Sequence, residues 1–173
     1  MRNNWFFSDP HLSHEKFLTF HDDMGHPIRP FKDIDEMDEH IIEQWNSVVR
    51  DGDNAYMMGD ITFELGERFD GIMARMKGRK RLILGNHDDP KNPDLMKHFK
   101  KAMIWRVFGE YNFVVSHIPI AKECFHRTTA FNLHGHTHVR ELSDRAYINN
   151  CCELTNYRPR HLDEVLQIIK DRS

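Results

Sequence analysis

Five short segments each place acidic, amide or imidazole side chains directly after an apolar run. These are the donor groups that bind borderline divalent metal ions in proteins. Each segment alone has ordinary turn composition, and only their combination is informative. The residues that could do chemistry are Asp9 and His11, Asp60, Asn86 and His87, His117, and His136 with His138.

This set of side chains meets the requirements of a dinuclear hydrolytic centre. Two divalent ions about 3.5–4 Å apart need a bridging carboxylate, several neutral imidazoles and one or two oxygen donors, with room for a shared hydroxide. Two ligand carboxylates, Asp9 and Asp60, leave roughly two positive charges when two such ions bind, and that charge attracts a phosphate anion. The sequence therefore predicts a two-metal phosphoesterase.

The apolar runs before these segments predict buried strands, and helical patterns separate the first three. The predicted strands lie at 5–7, 55–58, 82–84, 113–115 and 131–133. Residues 33–49 carry apolar side chains at helical spacing, with Asp33 as N-cap and Glu36 completing a capping box. Weaker helical patterns cover 67–76 and 94–101. This alternation indicates the α/β class.

The later part of the chain predicts antiparallel pairing. Residues 103–108 and 111–116 indicate a hairpin, 146–149 a further strand, and 162–170 a closing helix. We therefore expect mixed sheets. A chain of 173 residues fits one domain, so a single domain spanning 1–173 is expected.

Composition favours a soluble protein. Hydrophobic residues make up 39% of the chain and charged residues 29%, and no apolar run approaches the roughly 18 residues of a membrane span. The N-terminal segment lacks a signal-peptide pattern, and the three cysteines form no disulfide framework. A net charge of −3 with scattered basic residues does not favour long-duplex binding. We expect a cytoplasmic location and no membrane partner.

In this chain order the segments resemble the calcineurin-like metallophosphoesterase superfamily, whose motifs are D-x-H, G-D, G-N-H-[DE], H and G-H-x-H. The resemblance covers residues 5–138, and the whole length is similar to the small single-domain bacterial and phage-type members. It implies a four-layer α/β/β/α sandwich with two mixed sheets flanked by helices. The implied ligands are Asp9, His11 and His138 for one ion, Asn86, His117 and His136 for the other, and Asp60 as the bridge.

The resemblance also implies catalytic roles for His87 and Asp88. His87 would stabilise the phosphoryl charge or protonate the leaving oxygen, and Asp88 would act from the same turn. The superfamily's Ser/Thr phosphatases carry G-D-x-x-D-R-G, which provides an acid partner for the imidazole and an Arg for the phosphate. Residues 59–64 read GDITFE, so protein phosphatase activity is not expected. Glu64 is one candidate for orienting His87.

The implied reaction is phosphodiester hydrolysis by attack of a metal-bridging hydroxide on phosphorus. Without a long insertion to cap the site, we expect an open groove for a phosphate ester such as a nucleotide or a nucleic-acid end. His14 and Arg29 are the candidate substrate contacts. A nuclease or nucleotide pyrophosphatase on the same metals is the alternative, and a non-catalytic scaffold is less favoured. No obligate protein partner is evident.

Two further expectations concern the metal and a neighbouring imidazole. Manganese is the expected metal, although iron, zinc, cobalt and nickel accept the same donors. His134 alternates with His136 but has no place in the motif, so a structural role is expected for it.

Overall fold

The first three apolar runs form the parallel centre of a five-stranded sheet. The computed structural model describes residues 3–173. The strands follow the order β4-β3-β2-β1-β9, with β9 alone antiparallel to its neighbour. They are β1 (Asn4–Phe7), β2 (Asn54–Met57), β3 (Arg79–Ile83), β4 (Ala102–Met103) and β9 (Arg160–His161).

Three helices connect the parallel strands and share one core cluster with them. These are α1 (Ile34–Val48), α2 (Glu67–Arg75) and α3 (Pro93–Met96). Met37, Ile41 and Trp45 recur at helical spacing on α1 and are fully buried against Phe7 and Met57. This packing holds the helices against the first sheet.

A second sheet of four strands follows in the order β5-β6-β7-β8. The first pair is antiparallel and the other two pairs are parallel. Its strands are β5 (Trp105–Phe108), β6 (Phe113–Ser116), β7 (Phe131–His134) and β8 (Tyr147–Asn149), and the chain then forms α4 (Leu162–Arg172). Both sheets are mixed, so the predicted α/β class with two mixed sheets is confirmed.

The two sheets share a second core cluster. Phe6 and Tyr56 of the first sheet pack in it with Phe113 and Leu133 of the second, and α4 adds Val165. Phe6 lies 5.4 Å from Tyr56 and 5.9 Å from Phe113 between ring centroids. The packing sets the ends of β6 and β7 beside those of β1 and β2.

Several element boundaries differ from the sequence predictions. The helix predicted at 94–101 ends at Met96, because Lys100 donates its N–H to Lys80 O and the chain enters the first sheet as β4. The two-residue strand β9 is too short to show a period in the sequence. The predicted hairpin is present as β5 and β6.

Within residues 3–173, no helix is long and apolar enough to span a membrane.

The start of α1 differs from the predicted capping box in one contact. Asp33 caps the helix as predicted, because its Oδ1 accepts the Glu36 N–H at 2.9 Å. The Glu36 carboxylate instead accepts the Lys32 N–H at 2.6 Å, one residue before the cap. In a capping box the Glu36 carboxylate would accept the N–H of Asp33, and here it accepts the N–H of Lys32 instead.

Replacing Asp33 with Ala should therefore lower the free energy of unfolding by about 1 kcal/mol, since one N–H at the helix start loses its acceptor. Urea unfolding followed by circular dichroism measures the change. Glu43→Ala, at an exposed position of the same helix, is the matched control and should stay within about 0.5 kcal/mol of wild type. Equal stability of Asp33→Ala and wild type would contradict the capping assignment.

Candidate metal centre

The predicted ligands lie in loops that follow β1, β2, β3, β6 and β7. Loops after parallel strands meet at one edge of a sheet, and the packing of the two sheets brings both sets of loops together. Two groups of side chains converge there, each with its ligand atoms within 4.8 Å of one another. The groups are Asp9, His11 and His138, and Asp60, His117 and His136.

The first group contains buried polar atoms that lack protein partners. Asp9 Oδ1 and both ring nitrogens of His11 are buried without a hydrogen-bond partner among residues 3–173. Asp9 Oδ1 lies 3.9 Å from His138 Nε2. Burial, together with the nearby charge of Arg29, lowers the pKa of His11 to about 2, so its imidazole stays neutral. A neutral imidazole beside a free carboxylate oxygen is what a divalent cation requires.

The second group orients an imidazole lone pair toward oxygen atoms. His117 Nδ1 lies 2.8 Å from Met58 O, so this nitrogen carries the proton in a neutral ring and Nε2 carries the lone pair. Nε2 lies 2.9 Å from Asn86 Oδ1 and 3.3 Å from Asp60 Oδ2, which are both acceptors. Burial lowers the pKa of His117, but the Asp60 hydrogen bond and the Asp9 and Asp60 charges outweigh it and raise the pKa. The lone pairs of His117 Nε2 and the two oxygen atoms face one another, so a proton or a metal ion is needed between them.

Asp60 lies between the two groups. Its Oδ2 is 3.9 Å from His11 Nε2 in the first group and 3.3 Å from His117 Nε2 in the second. Its Oδ1 accepts the backbone N–H of His87 at 3.1 Å. A single carboxylate therefore faces both sets of ligands.

The backbone of the ligand loops is left-handed at most of the predicted ligands. Asp9 has a φ of 56° and His11 of 46°. Turns, and not the side-chain alternation of an extended strand, therefore bring these two side chains together. Nine non-glycine residues of the described chain have positive φ, and five of them are predicted ligands. They are Asp9, His11, Asp60, His136 and His138. Such strain persists only where surrounding contacts hold it, and it clusters at functional sites.

Close approach between the ligand loops requires glycine at the two positions that face the ligand carboxylates. A Cβ at Gly85 would collide with the Asp60 carboxylate and backbone. A Cβ at Gly135 would collide with Ser8 Oγ and Asp9 Oδ2. The glycines of the G-N-H and G-H-x-H segments therefore allow the loops to pack against the two ligand carboxylates.

Asp88 joins two of the loops and does not face the cavity. It is buried and accepts three backbone N–H groups, from Gly85, Asp60 and Ile61, at 2.8–3.1 Å. Burial raises the pKa of Asp88. The expected catalytic role of Asp88 is corrected by this geometry, because both of its oxygens are committed to holding the Asp60 loop beside the His87 loop.

His87 is exposed and lines a cavity of about 560 Å³ together with ligand residues of both groups. Phe63, and not Glu64, packs against it, with ring centroids 4.7 Å apart. Within residues 3–173, no ion pair joins Glu64 to His87. The ring of Phe63, rather than the candidate Glu64, therefore contacts the His87 imidazole.

Arg29 is fully buried, in contrast to the predicted substrate contact. Its guanidinium donates to Asp9 O and Pro10 O at 2.5 Å and to Glu153 Oε1 at 2.6 Å. The remaining N–H groups meet sulfur atoms of Met37 and Cys152. Arg29 is therefore a positioning residue that fixes the Asp9 loop, and it has no N–H group left for a substrate.

Glu153 is the site residue that sequence reasoning missed. It is buried between Arg29 and His138 and accepts from His138 Nδ1 at 3.2 Å. This contact directs the lone pair of His138 Nε2 toward Asp9, the carboxylate–histidine arrangement common at metal sites. Burial raises the pKa of Glu153, but Arg29 and the His138 hydrogen bond outweigh it and lower the pKa to about 2. Its position 15 residues beyond His138 follows no motif spacing.

A third group of potential ligands overlaps the first but is less suited to a cation. It consists of His138, Cys151 and Glu153. Burial and the Asp9 carboxylate raise the pKa of the Cys151 thiol strongly, so the sulfur stays protonated, 3.3 Å from Asp9 Oδ2. Glu153 Oε1 already pairs with Arg29. A metal here would have to displace a proton and compete with a guanidinium.

Two other histidines that the sequence analysis singled out differ in their surroundings. His14 is half-buried and lines the same cavity as His87, so its predicted substrate contact stays a prediction. His134 is fully buried, with Nδ1 2.8 Å from Gly135 O. Burial lowers the pKa of both imidazoles.

Comparison with known proteins finds relatives over nearly the whole chain. No protein-family model matches the chain. An uncharacterised protein of Methanocaldococcus jannaschii is 28% identical over 98% of this chain and 93% of its own. The Gene 66 protein of Mycobacterium phage D29 is 28% identical over 99% of this chain and 98% of its own, and that of phage L5 is 29% identical over 80% and 78%.

A solved structure shares the fold. The crystal structure of a protein of unknown function from Aquifex aeolicus superposes with a TM-score of 0.75 and 21% identity, and the match covers 97% of this chain and 100% of that one. This similarity extends over both sheets, so the arrangement that brings the ligand loops together is a shared architecture.

Replacing Glu153 with Gln should weaken Mn²⁺ binding roughly 10- to 100-fold, because His138 loses the carboxylate that orients it. Calorimetric titration of metal-depleted protein gives the affinity. Exposed Glu123→Gln is the control and should bind as wild type does. An unchanged Mn²⁺ affinity in Glu153→Gln would contradict the orienting role of Glu153.

Stability of the metal-free protein should also depend on Glu153 in acid. The folded pKa of about 2 lies below the ordinary 4.5, so the ion pair stabilises fully above about pH 5 and its contribution is lost as pH falls toward 2. That contribution is about 3 kcal/mol. Urea unfolding at several pH values should show wild type and Glu153→Gln converging in acid. A constant difference between them from pH 7 to 2.5 would contradict the assignment.

Proposed function

We propose that this protein is a metal-dependent phosphodiesterase of the calcineurin-like metallophosphoesterase type. The observation that carries the proposal is the position of Asp60, whose Oδ2 faces His11 of one ligand group and His117 of the other. A bridging carboxylate between two sets of mixed nitrogen and oxygen donors is the design of a dinuclear hydrolytic centre.

The side chains present fit a pair of divalent ions. Asp9, His11 and His138 would hold one ion, and Asn86, His117 and His136 the other, with Asp60 shared. The unpartnered Asp9 Oδ1 and His11 ring nitrogens support this assignment, because buried polar atoms without partners are costly unless a bound group satisfies them. When bound, such ions supply Lewis acidity and an activated water at neutral pH. We propose manganese as the resident metal.

The protein's own residues would hold and protonate the substrate. His87 is the exposed imidazole beside the ligand groups, and in this proposal it would donate a proton to the leaving oxygen. Its backbone N–H bonds Asp60 Oδ1, so the position of the catalytic loop is tied to the bridging carboxylate. Asp88 reinforces that tie through its three backbone contacts.

We also propose that the fold is the four-layer sandwich that the resemblance implies, in a reduced form. Helices α1 to α3 cover the first sheet, and the second cluster joins the two sheets. On the outer face of the second sheet, Ile120 bonds Asn132 and Tyr147 from an irregular segment, which would take the place of a helical layer. The cavity at the ligand loops is open, which suits a diester better than a deeply enclosed monoester.

Asp60→Asn should abolish metal-dependent hydrolysis of a phosphodiester such as bis-p-nitrophenyl phosphate, whereas His87→Gln should lower kcat about 10²- to 10⁴-fold with metal binding retained. Steady-state kinetics and elemental analysis of the same preparations separate the two effects. His126→Gln, at an exposed loop position outside the cavity, is the control. Full activity in Asp60→Asn would overturn the proposed function.

A further inference from the structure

We propose that an aromatic wall beside the metal centre binds the base of a nucleotide phosphodiester. The wall consists of Phe63, His14 and Phe20, which line the same cavity as His87 and the ligand residues. This inference rests on the proposed function and deepens it by naming the class of substrate.

The two phenylalanines are exposed where most large apolar side chains of the chain are buried. Phe63 is 46% and Phe20 is 44% exposed. Phenylalanine is among the residues most often buried, and a cluster of exposed rings at the mouth of a polar site marks a binding surface. Both rings border the cavity next to the ligand groups. Their exposed faces bury no apolar surface in the folded chain, so they are open to a ligand.

Contacts with site residues hold Phe63 in place. Its ring stacks on His11 with an interplanar angle of 8° and a centroid distance of 5.5 Å. The His87 ring lies 4.7 Å away and the His14 ring 4.4 Å away. The proposed general acid and the proposed stacking surface are therefore neighbours, at a spacing suited to adjacent parts of one substrate.

The other end of the wall is held equally well. Phe20 packs edge to face on buried Phe17 at 5.1 Å, and its carbonyl accepts the Ile28 N–H at 2.9 Å. His14 lies between Phe20 and Phe63, at 6.5 and 4.4 Å. The three rings together form one aromatic surface, and base–aromatic stacking on such surfaces contributes substantially to nucleotide binding.

Charges on the far side of the site favour a short ligand. An adjoining cavity shares His21, His136 and His138 with the first, and Asp22, Asp23 and Arg140 also line it. Arg140 is paired with Asp23 at 3.2 Å, so this lining offers no free guanidinium to the successive phosphates of a long strand, and Asp22 adds a negative charge. The surroundings fit one base on the aromatic wall and one diester at His87.

The test compares two diesters with the same scissile bond, adenosine 5′-methyl phosphate and ribose 5′-methyl phosphate. The manganese-loaded wild type should hydrolyse the adenosine compound with a kcat/KM about tenfold or more above that of the ribose compound. Phe63→Leu and Phe20→Leu should each remove most of this preference, whereas Phe63→Trp should keep it. Trp105→Leu, at an exposed aromatic position on β5 outside the cavity, is the matched control.

A binding measurement on metal-free protein separates this inference from the proposed function. Saturation-transfer NMR with adenosine 5′-monophosphate should show stronger saturation of the base protons than of the ribose protons, and Phe63→Leu should lose it. Hydrolysis of both diesters at equal rates would overturn the base site and leave the phosphodiesterase standing. Hydrolysis of neither diester, with base saturation intact, would overturn the activity alone. Equal saturation in wild type and Phe63→Leu would overturn the base site.

Discussion

The carboxylate of Asp60 is the contact around which the candidate site is organised. One oxygen receives the His87 N–H and the other faces His11 and His117, so loops from both sheets meet at a single side chain. Asp88 and Gly85 make this possible, since one accepts the Asp60 N–H and the other leaves space for the carboxylate. The packing of Phe6 and Phe113 between the sheets sets the distance over which the loops must reach.

The site concentrates features that are costly for folding. Five predicted ligands have left-handed backbone, and each such residue costs of the order of 1–3 kcal/mol. Arg29 is a buried cation, and it is tolerated because Glu153 and two loop carbonyl oxygens receive its N–H groups. The same ion pair fixes the Asp9 loop and orients His138. The two core clusters supply the hydrophobic burial that offsets these costs.

Sequence patterns predicted the features that depend on local periodicity or on motif order. The amphipathic spacing of Met37, Ile41 and Trp45 located α1, and the strand-end segments identified every side chain of the two convergent groups. Three features depended on contacts between distant residues and left no local pattern. Arg29 is buried through its pairing with Glu153, which lies 124 residues away in the sequence. The loops of Asp60 and Asp9 pack closely against Gly85 and Gly135, which come from distant parts of the chain. The strand β9 exists only through its pairing with β1.

The motif order and the geometry of the loops support the proposal that Asp60 would contact both of two bound metal ions. Anomalous diffraction from crystals grown with Mn²⁺ tests it most directly. Two anomalous peaks per chain are expected, one contacting Asp9, His11 and His138 and the other Asn86, His117 and His136, with an Asp60 oxygen in contact with both. A single ion held by His138, Cys151 and Glu153, or two ions without a shared Asp60 contact, would contradict it.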